Sequence, residues 1–149
     1  MLSHEFLEDL WCRKHLLSNV LAPLAWCYQL AVTLRHLAYQ IGVLPVQRLD
    51  VPVIVVGNII VGGTGKTPLV IWLAEYLKAK GYKPGIVSRG YKSKVKKWPQ
   101  QVRADSPPEL VGDEPVLLAR RTGCRVAIAP NRHAAAQALV KRHQVDIII

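Results

Sequence analysis

The segment Val53-Ile54-Val55-Val56-Gly57-Asn58-Ile59-Ile60-Val61-Gly62-Gly63-Thr64-Gly65-Lys66-Thr67 decides the fold. Its β-branched start predicts a buried strand, its glycines a tight turn, and Gly-Lys-Thr the opening of a helix. That order builds a phosphate cradle. Glycines let main-chain N–H groups converge on an anion without interference from Cβ atoms. The helix start adds unpaired donors at the positive end of its dipole. In such a loop the lysine reaches the terminal phosphates and the hydroxyl ligates Mg2+, roles that fall to Lys66 and Thr67. The pattern Gly-x-x-x-x-Gly-Lys-[Ser/Thr] puts its first glycine at position 60, where this chain has Ile60. The residues expected to hold a nucleotide are therefore Ile60, Val61, Gly62, Gly63, Thr64, Gly65, Lys66 and Thr67. A lysine before the double glycine would mark the ParA-like form of the loop, and Val61 stands there instead. The alternative is a glycine-rich turn with an incidental Gly-Lys-Thr, and the flanking sequence argues against it.

A helix is expected from Thr67 to Lys80. Leu69, Val70, Leu73, Ala74 and Leu77 recur at helical spacing, Pro68 sits harmlessly in the first turn, and Gly81 ends it. Further strands are expected at Pro84–Ser88, Arg125–Ala129 and Val145–Ile149. Gly112-Asp113-Glu114-Pro115 opens a helix to about Arg121 with Asp113 as its N-cap, and Asn131–Arg142 forms another with alanines inward. Trp98-Pro99 and Pro107-Pro108 argue for irregular chain between them. The alternation predicts an α/β fold: a P-loop NTPase-like parallel sheet with helices on both faces, over residues 46–149. Ligands in such sheets bind beyond the carboxyl ends of the strands. Ser88–Tyr91 and Pro130–Arg132 follow strands and should converge with the cradle, and the Gly112–Glu114 turn is placed to join them.

Residues 1–45 read as a separate, apolar, membrane-associating helical segment. Leu16 to Leu34 holds no charged residue, and Arg13, Lys14, Arg35 and His36 flank it. Three arrangements fit: a helix lying on a membrane surface with Trp11, Trp26, Tyr28 and Tyr39 at the interface, a single span, or a helical hairpin packed on the domain. Glu5, Glu8 and Asp9 make it unlike a secretory signal. The 149 residues carry 20 basic and 10 acidic side chains, a formal charge of +10, so an anionic partner or surface is expected. The basic residues are not interleaved with stacking aromatics, which argues against nucleic acid. Cys12, Cys27 and Cys124 form no C-x-x-C pair and no metal or disulfide framework.

A phosphate-cradle enzyme usually needs a carboxylate at the end of another strand to hold Mg2+. Asp146 lies at the wrong end of its strand, and the last apolar run stops at Ile149. The expectation is an N-terminal fragment of a longer protein, inactive by itself.

The motifs together resemble the tetraacyldisaccharide 4'-kinase family, the lipid A kinases of Gram-negative bacteria. Gly57-Asn58-Ile59 with Val61 to Pro68 resembles that family's cradle. Ser88-Arg89-Gly90-Tyr91, Gly112-Asp113-Glu114-Pro115, Ala119-Arg120-Arg121 and Pro130-Asn131-Arg132 match its blocks in order. The family usually has Thr or Ser where Ile60 stands, and it continues with an Asp-Asp-Gly-Leu-Gln block beyond this chain. The resemblance implies transfer of the ATP γ-phosphate, with Mg2+, to the 4'-hydroxyl of a tetraacylated glucosamine disaccharide 1-phosphate, a lipid A precursor. It implies Asp113 as base or orienting carboxylate, supported by Glu114, and Arg132 as a clamp on ATP phosphates. Arg89 and Tyr91 are expected to meet the acceptor. An anionic membrane surface, the cytoplasmic face of the bacterial inner membrane, is the expected location. The competing reading is a membrane-tethered, non-catalytic nucleotide module. A GTPase switch would carry an Asn-Lys-x-Asp motif, which the sequence lacks.

Overall fold

The structure, a computed structural model, describes residues 16–58, 65–91 and 93–149. The chain divides into two compact units, Met1–Val46 and Gln47–Ile149.

In the first unit, helix α1 spans Leu16–Gln40, one continuous helix of 25 residues among the described residues. It outruns the uncharged stretch because Arg35 and His36 join its last turns, where the Arg35 guanidinium lies over the Tyr39 ring and His36 meets Gln40. Gly42, at φ 78°, turns the chain so that the Leu44 N–H bonds the Ala38 carbonyl. Trp26, Tyr28, Leu30, Val32 and Leu34 are all exposed, with Trp26 at 74%. The single-span reading is corrected: no helix among the described residues is long and apolar enough to cross a membrane. Gln29, Thr33, Arg35 and His36 interrupt its apolar surface. Trp11 lies outside the described residues.

The second unit contains α2 (Lys66–Ala79), β1 (Pro84–Ser88), β2 (Gln100–Val102), α3 (Pro108–Val111), α4 (Asp113–Thr122), β3 (Arg125–Ile128), α5 (Arg132–His143) and β4 (Ile147–Ile148). The sheet order is β2-β3-β1-β4. β1 runs parallel to β3 and to β4, whereas β2 runs antiparallel to β3. The expectation of a purely parallel sheet is thus corrected to a mixed one. Gln100-Gln101-Val102 has little strand character of its own. It forms by pairing with β3, where Val102 opposes Val126 and is buried.

Alternation along the strands sends side chains to two cores. Ile86, Val126, Ile128, Ile147 and Ile149 pack on one face with Ala74 and Leu77 of α2, Val111 of α3, and Val116, Leu118 and Ala119 of α4. Ala127, Ala129 and Ile148 pack on the other with Ala135, Ala136 and Leu139 of α5. Small residues on both sides let α5 approach closely. A Cβ on Gly85 would come within 2.7 Å of Val145 Cγ1 and 3.1 Å of Leu139 Cδ1.

The Val53–Val56 run is extended beside β4, with the Ile54 N–H bonded to the Ile148 carbonyl and the Ile148 N–H to that of Pro52. Ile54 and Val56 pack on the first core. Val53 and Val55 are 50% and 87% exposed, so the expected buried strand is buried on one face only. The reason is that α5 lies over β1 and β3 on that side and no described element covers the outermost segment.

Gly85→Ala is expected to lower unfolding free energy by about 1–3 kcal/mol in urea titrations, because Val145 is β-branched and cannot swing aside. A change within about 0.5 kcal/mol would show that α5 is not seated this closely.

Candidate functional site

Helices α2 and α4 lie side by side with their starts at the same edge. At that edge Thr67 Oγ1 donates to Glu114 Oε1 at 2.7 Å. At their far ends Lys78 Nζ donates to the Thr122 carbonyl at 2.6 Å. The two helix N-termini, with their unpaired N–H groups and positive dipole ends, therefore share one site. It is the edge where Gly57, Ser88 and Ala129 leave the parallel strands.

Local sequence explains each placement. Gly65 precedes α2 at φ 72°, a left-handed conformation that suits glycine, and Lys66 and Thr67 are the first two helical residues. Gly112 precedes α4 at φ 96° and ψ 150°, outside the range of ordinary L-residues. Asp113 is consequently the first residue of α4 and not its N-cap, which corrects that part of the sequence reading. As N1 its side chain is released from capping. Asn131 does cap α5, accepting from the Ala134 N–H at 3.3 Å, and so presents Arg132 as the first helical residue.

Two clefts meet here. The larger, of about 800 Å3, brings together Lys66, Arg89, Arg132, Ser88, Tyr91 and Glu114. The smaller, of about 570 Å3, is lined by Asp113, Glu114, Glu109, Lys94, Ser88 and Tyr91 among others. Ser88, Tyr91 and Glu114 border both, so the clefts are continuous. Charge is divided between them. Among the described residues the larger cleft gathers Lys66, Arg89 and Arg132 against Glu114 and suits a polyphosphate. The smaller, among the described residues, gathers Glu109, Asp113 and Glu114 against Lys94 and suits a group that donates hydrogen bonds, such as a sugar hydroxyl.

The structure thus unites Lys66, Arg89, Tyr91, Glu114 and Arg132 in one cleft and puts Asp113 in the next. Tyr91 is 79% exposed at their junction. Ile60, Val61, Gly62, Gly63 and Thr64 lie outside the described residues. Sequence reading assigned no role to His133, yet it is half-buried in the larger cleft. The available signal was its place one residue beyond Arg132, in the first turn of a helix that follows a strand. Ser88 was placed at this edge with Tyr91 but given no role, and Lys94 was missed because it sits in a run of lysines that reads as solvated.

Among the described residues no group of three or more His, Cys, Asp or Glu side chains could hold a metal ion. Mg2+ does not require one, since it takes one or two protein oxygens plus substrate phosphates and water. The hydroxyl of Thr67 beside the carboxylate of Glu114 is a hard-oxygen pair of that kind, and Glu114 lines the larger cleft.

Comparison with known proteins identifies the family. Residues 17–149 match the family model described as tetraacyldisaccharide-1-P 4'-kinase. Curated tetraacyldisaccharide 4'-kinases are similar throughout. That of Nitrosococcus oceani is 51% identical over 130 residues, covering 87% of this chain and 38% of the relative. That of Alkalilimnicola ehrlichii is 57% identical over 123 residues, covering 83% and 37%. The chain therefore spans about two-fifths of the length of these relatives. A crystal structure of LpxK from Aquifex aeolicus in complex with ATP superposes with a TM-score of 0.69 at 32% identity, covering 90% of this chain and 43% of the other. On fold, site and kinship alike, the chain belongs to the tetraacyldisaccharide-1-P 4'-kinase family.

Proposed function

We propose that these residues form the ATP-binding part of a kinase that phosphorylates the 4'-hydroxyl of a tetraacylated disaccharide 1-phosphate, a lipid A precursor. The observation that carries this reading is the meeting of Lys66, Arg132 and Glu114 in one cleft, with Glu114, hydrogen-bonded to Thr67, also lining the carboxylate-rich cleft beside it. In it, Lys66, Arg132 and the start of α2 hold the β- and γ-phosphates of ATP, and the acceptor sugar enters beside Asp113. Asp113 orients the hydroxyl and takes its proton as the oxygen attacks the γ-phosphorus. The bond from that phosphorus to the bridging oxygen breaks, and ADP leaves with the electron pair. Arg89 and Tyr91, at the mouth of the clefts, meet the acceptor. Thr67 and Glu114 are the residues suited to hold Mg2+, which when bound offsets phosphate charge.

An acyl-chain acceptor stays in the bilayer, because exposing each CH2 to water costs about 0.8 kcal/mol. The enzyme must then work at a membrane surface. Helix α1, with exposed Trp26 and Tyr28 and the basic residues Arg35 and His36, supports docking on the anionic cytoplasmic face of the inner membrane. A purely regulatory nucleotide module would not need the carboxylate cleft, which favours the enzyme.

Three outcomes test this reading. In a full-length family protein carrying this sequence, Lys66→Ala should cut kcat/KM for phosphate transfer by on the order of 1000-fold. Asp113→Ala should lower kcat by about 100-fold or more while ATP affinity stays within about twofold, and a near-normal kcat would remove Asp113 from the mechanism. In flotation assays, deleting residues 1–40 should abolish recovery with anionic vesicles, and unchanged recovery would exclude α1 as the docking element.

A further inference from the structure

The geometry points to Lys94 as the residue that recognises the phosphate monoester of the acceptor, a role that rests on the kinase reading above. The smaller cleft is lined by the carboxylates Glu109, Asp113 and Glu114, and Lys94 is the basic residue among its described lining. A phosphate monoester carries close to two negative charges at neutral pH. Brought beside three carboxylates, it is repelled unless a cation lies in the same space. Arg132 lines the larger cleft only, and Arg89, which meets the acceptor, does so from that larger cleft and not from among the three carboxylates. Lys96 and Lys97, exposed like Lys94, line neither cleft. Among the described residues of the basic stretch from Lys94 to Lys97, Lys94 is the one that lines this cleft.

The main chain holds it there. The Lys94 N–H donates to the Leu110 carbonyl at 2.8 Å, which fastens the loop to α3. The Ser93 N–H and Oγ both bond the Gly90 carbonyl, at 3.1 and 2.7 Å. Gly90, at φ 69°, sits so close to Ile128 that a Cβ there would lie 3.1 Å from its side chain. On the other side Val95 packs on the core. Main-chain bonds at Ser93 and Lys94 and the packing of Val95 fix the backbone from which the exposed Lys94 side chain extends. Its flexible four-carbon stem then lets the charge follow a phosphate without demanding bidentate geometry.

The test is a titration of the 149-residue chain, followed by backbone amide NMR, with three probes: the deacylated disaccharide 1-phosphate, the same disaccharide without its phosphate, and Mg·ATP. The 1-phosphate should shift the amides of Lys94, Asp113 and Glu114 saturably and bind more tightly than the phosphate-free sugar. Lys94→Gln should weaken the 1-phosphate by on the order of 10- to 100-fold, leave the phosphate-free sugar and Mg·ATP unchanged, and be rescued by Lys94→Arg. Equal affinity of the wild type for the two sugars overturns the inference, as does the absence of any saturable shift. So does a Lys94→Gln effect that falls on Mg·ATP or equally on both sugars. Because the wild-type comparison needs no variant, a misfolded Lys94→Gln protein does not spare the idea. Failure of the wild type to bind Mg·ATP removes the kinase reading itself, which is a different outcome.

Discussion

The hydrogen bond from Thr67 to Glu114 sets the relation on which the site depends. Together with the Lys78 contact at the far end, it holds α2 and α4 in parallel along their shared length. Parallel packing means that both positive helix ends face the same edge of the sheet. It also links the residue type expected to hold a metal to the helix that begins with Asp113. Without that alignment the phosphate-binding and carboxylate-bearing residues would be separate features of an ordinary α/β unit.

From this alignment follows a division of labour between two joined clefts. Lys66 and Arg132 open α2 and α5, and Arg89 directly follows β1. Their convergence is a consequence of parallel strand order, since the carboxyl ends of parallel strands all open on one side. Asp113, Glu114 and Glu109 come instead from the two short helices α3 and α4, joined through Gly112. The left-handed backbone at Gly112 lets α4 begin directly after α3, which is why consecutive carboxylates can line both clefts.

Much of this was legible in the sequence, where local rules and tertiary structure agree. Pro84–Ser88 was bounded correctly by its glycine-proline turn and its apolar run. Pro68 and Gly81 marked the ends of α2, and Asn131 marked the start of α5. The failures lie where long-range contacts override local preference. Strand β2 exists because β3 offers a partner, not because glutamines favour strands. Helix α3 forms after a Pro-Pro pair that read as irregular, with Pro108 serving as its first residue. Asp113 looked like a cap because it precedes Pro115 at the right spacing, but the glycine before it took that place. In the second cleft Asp113, Glu114 and Tyr91 were legible, whereas Lys94 was not, since the loop that carries it is fastened there by a main-chain bond to Leu110, sixteen positions away. The cradle glycines, the clearest motif in the chain, fall among residues outside the structural description.

The central claim is that the starts of α2, α4 and α5 together hold a triphosphate. A crystal structure of this chain grown with Mg2+ and a non-hydrolysable ATP analogue tests it most directly. The account predicts density for the terminal phosphate within hydrogen-bonding distance of Lys66, flanked by Arg132 and by the Thr67–Glu114 pair. A nucleotide bound elsewhere, or none at saturating concentration, would contradict it.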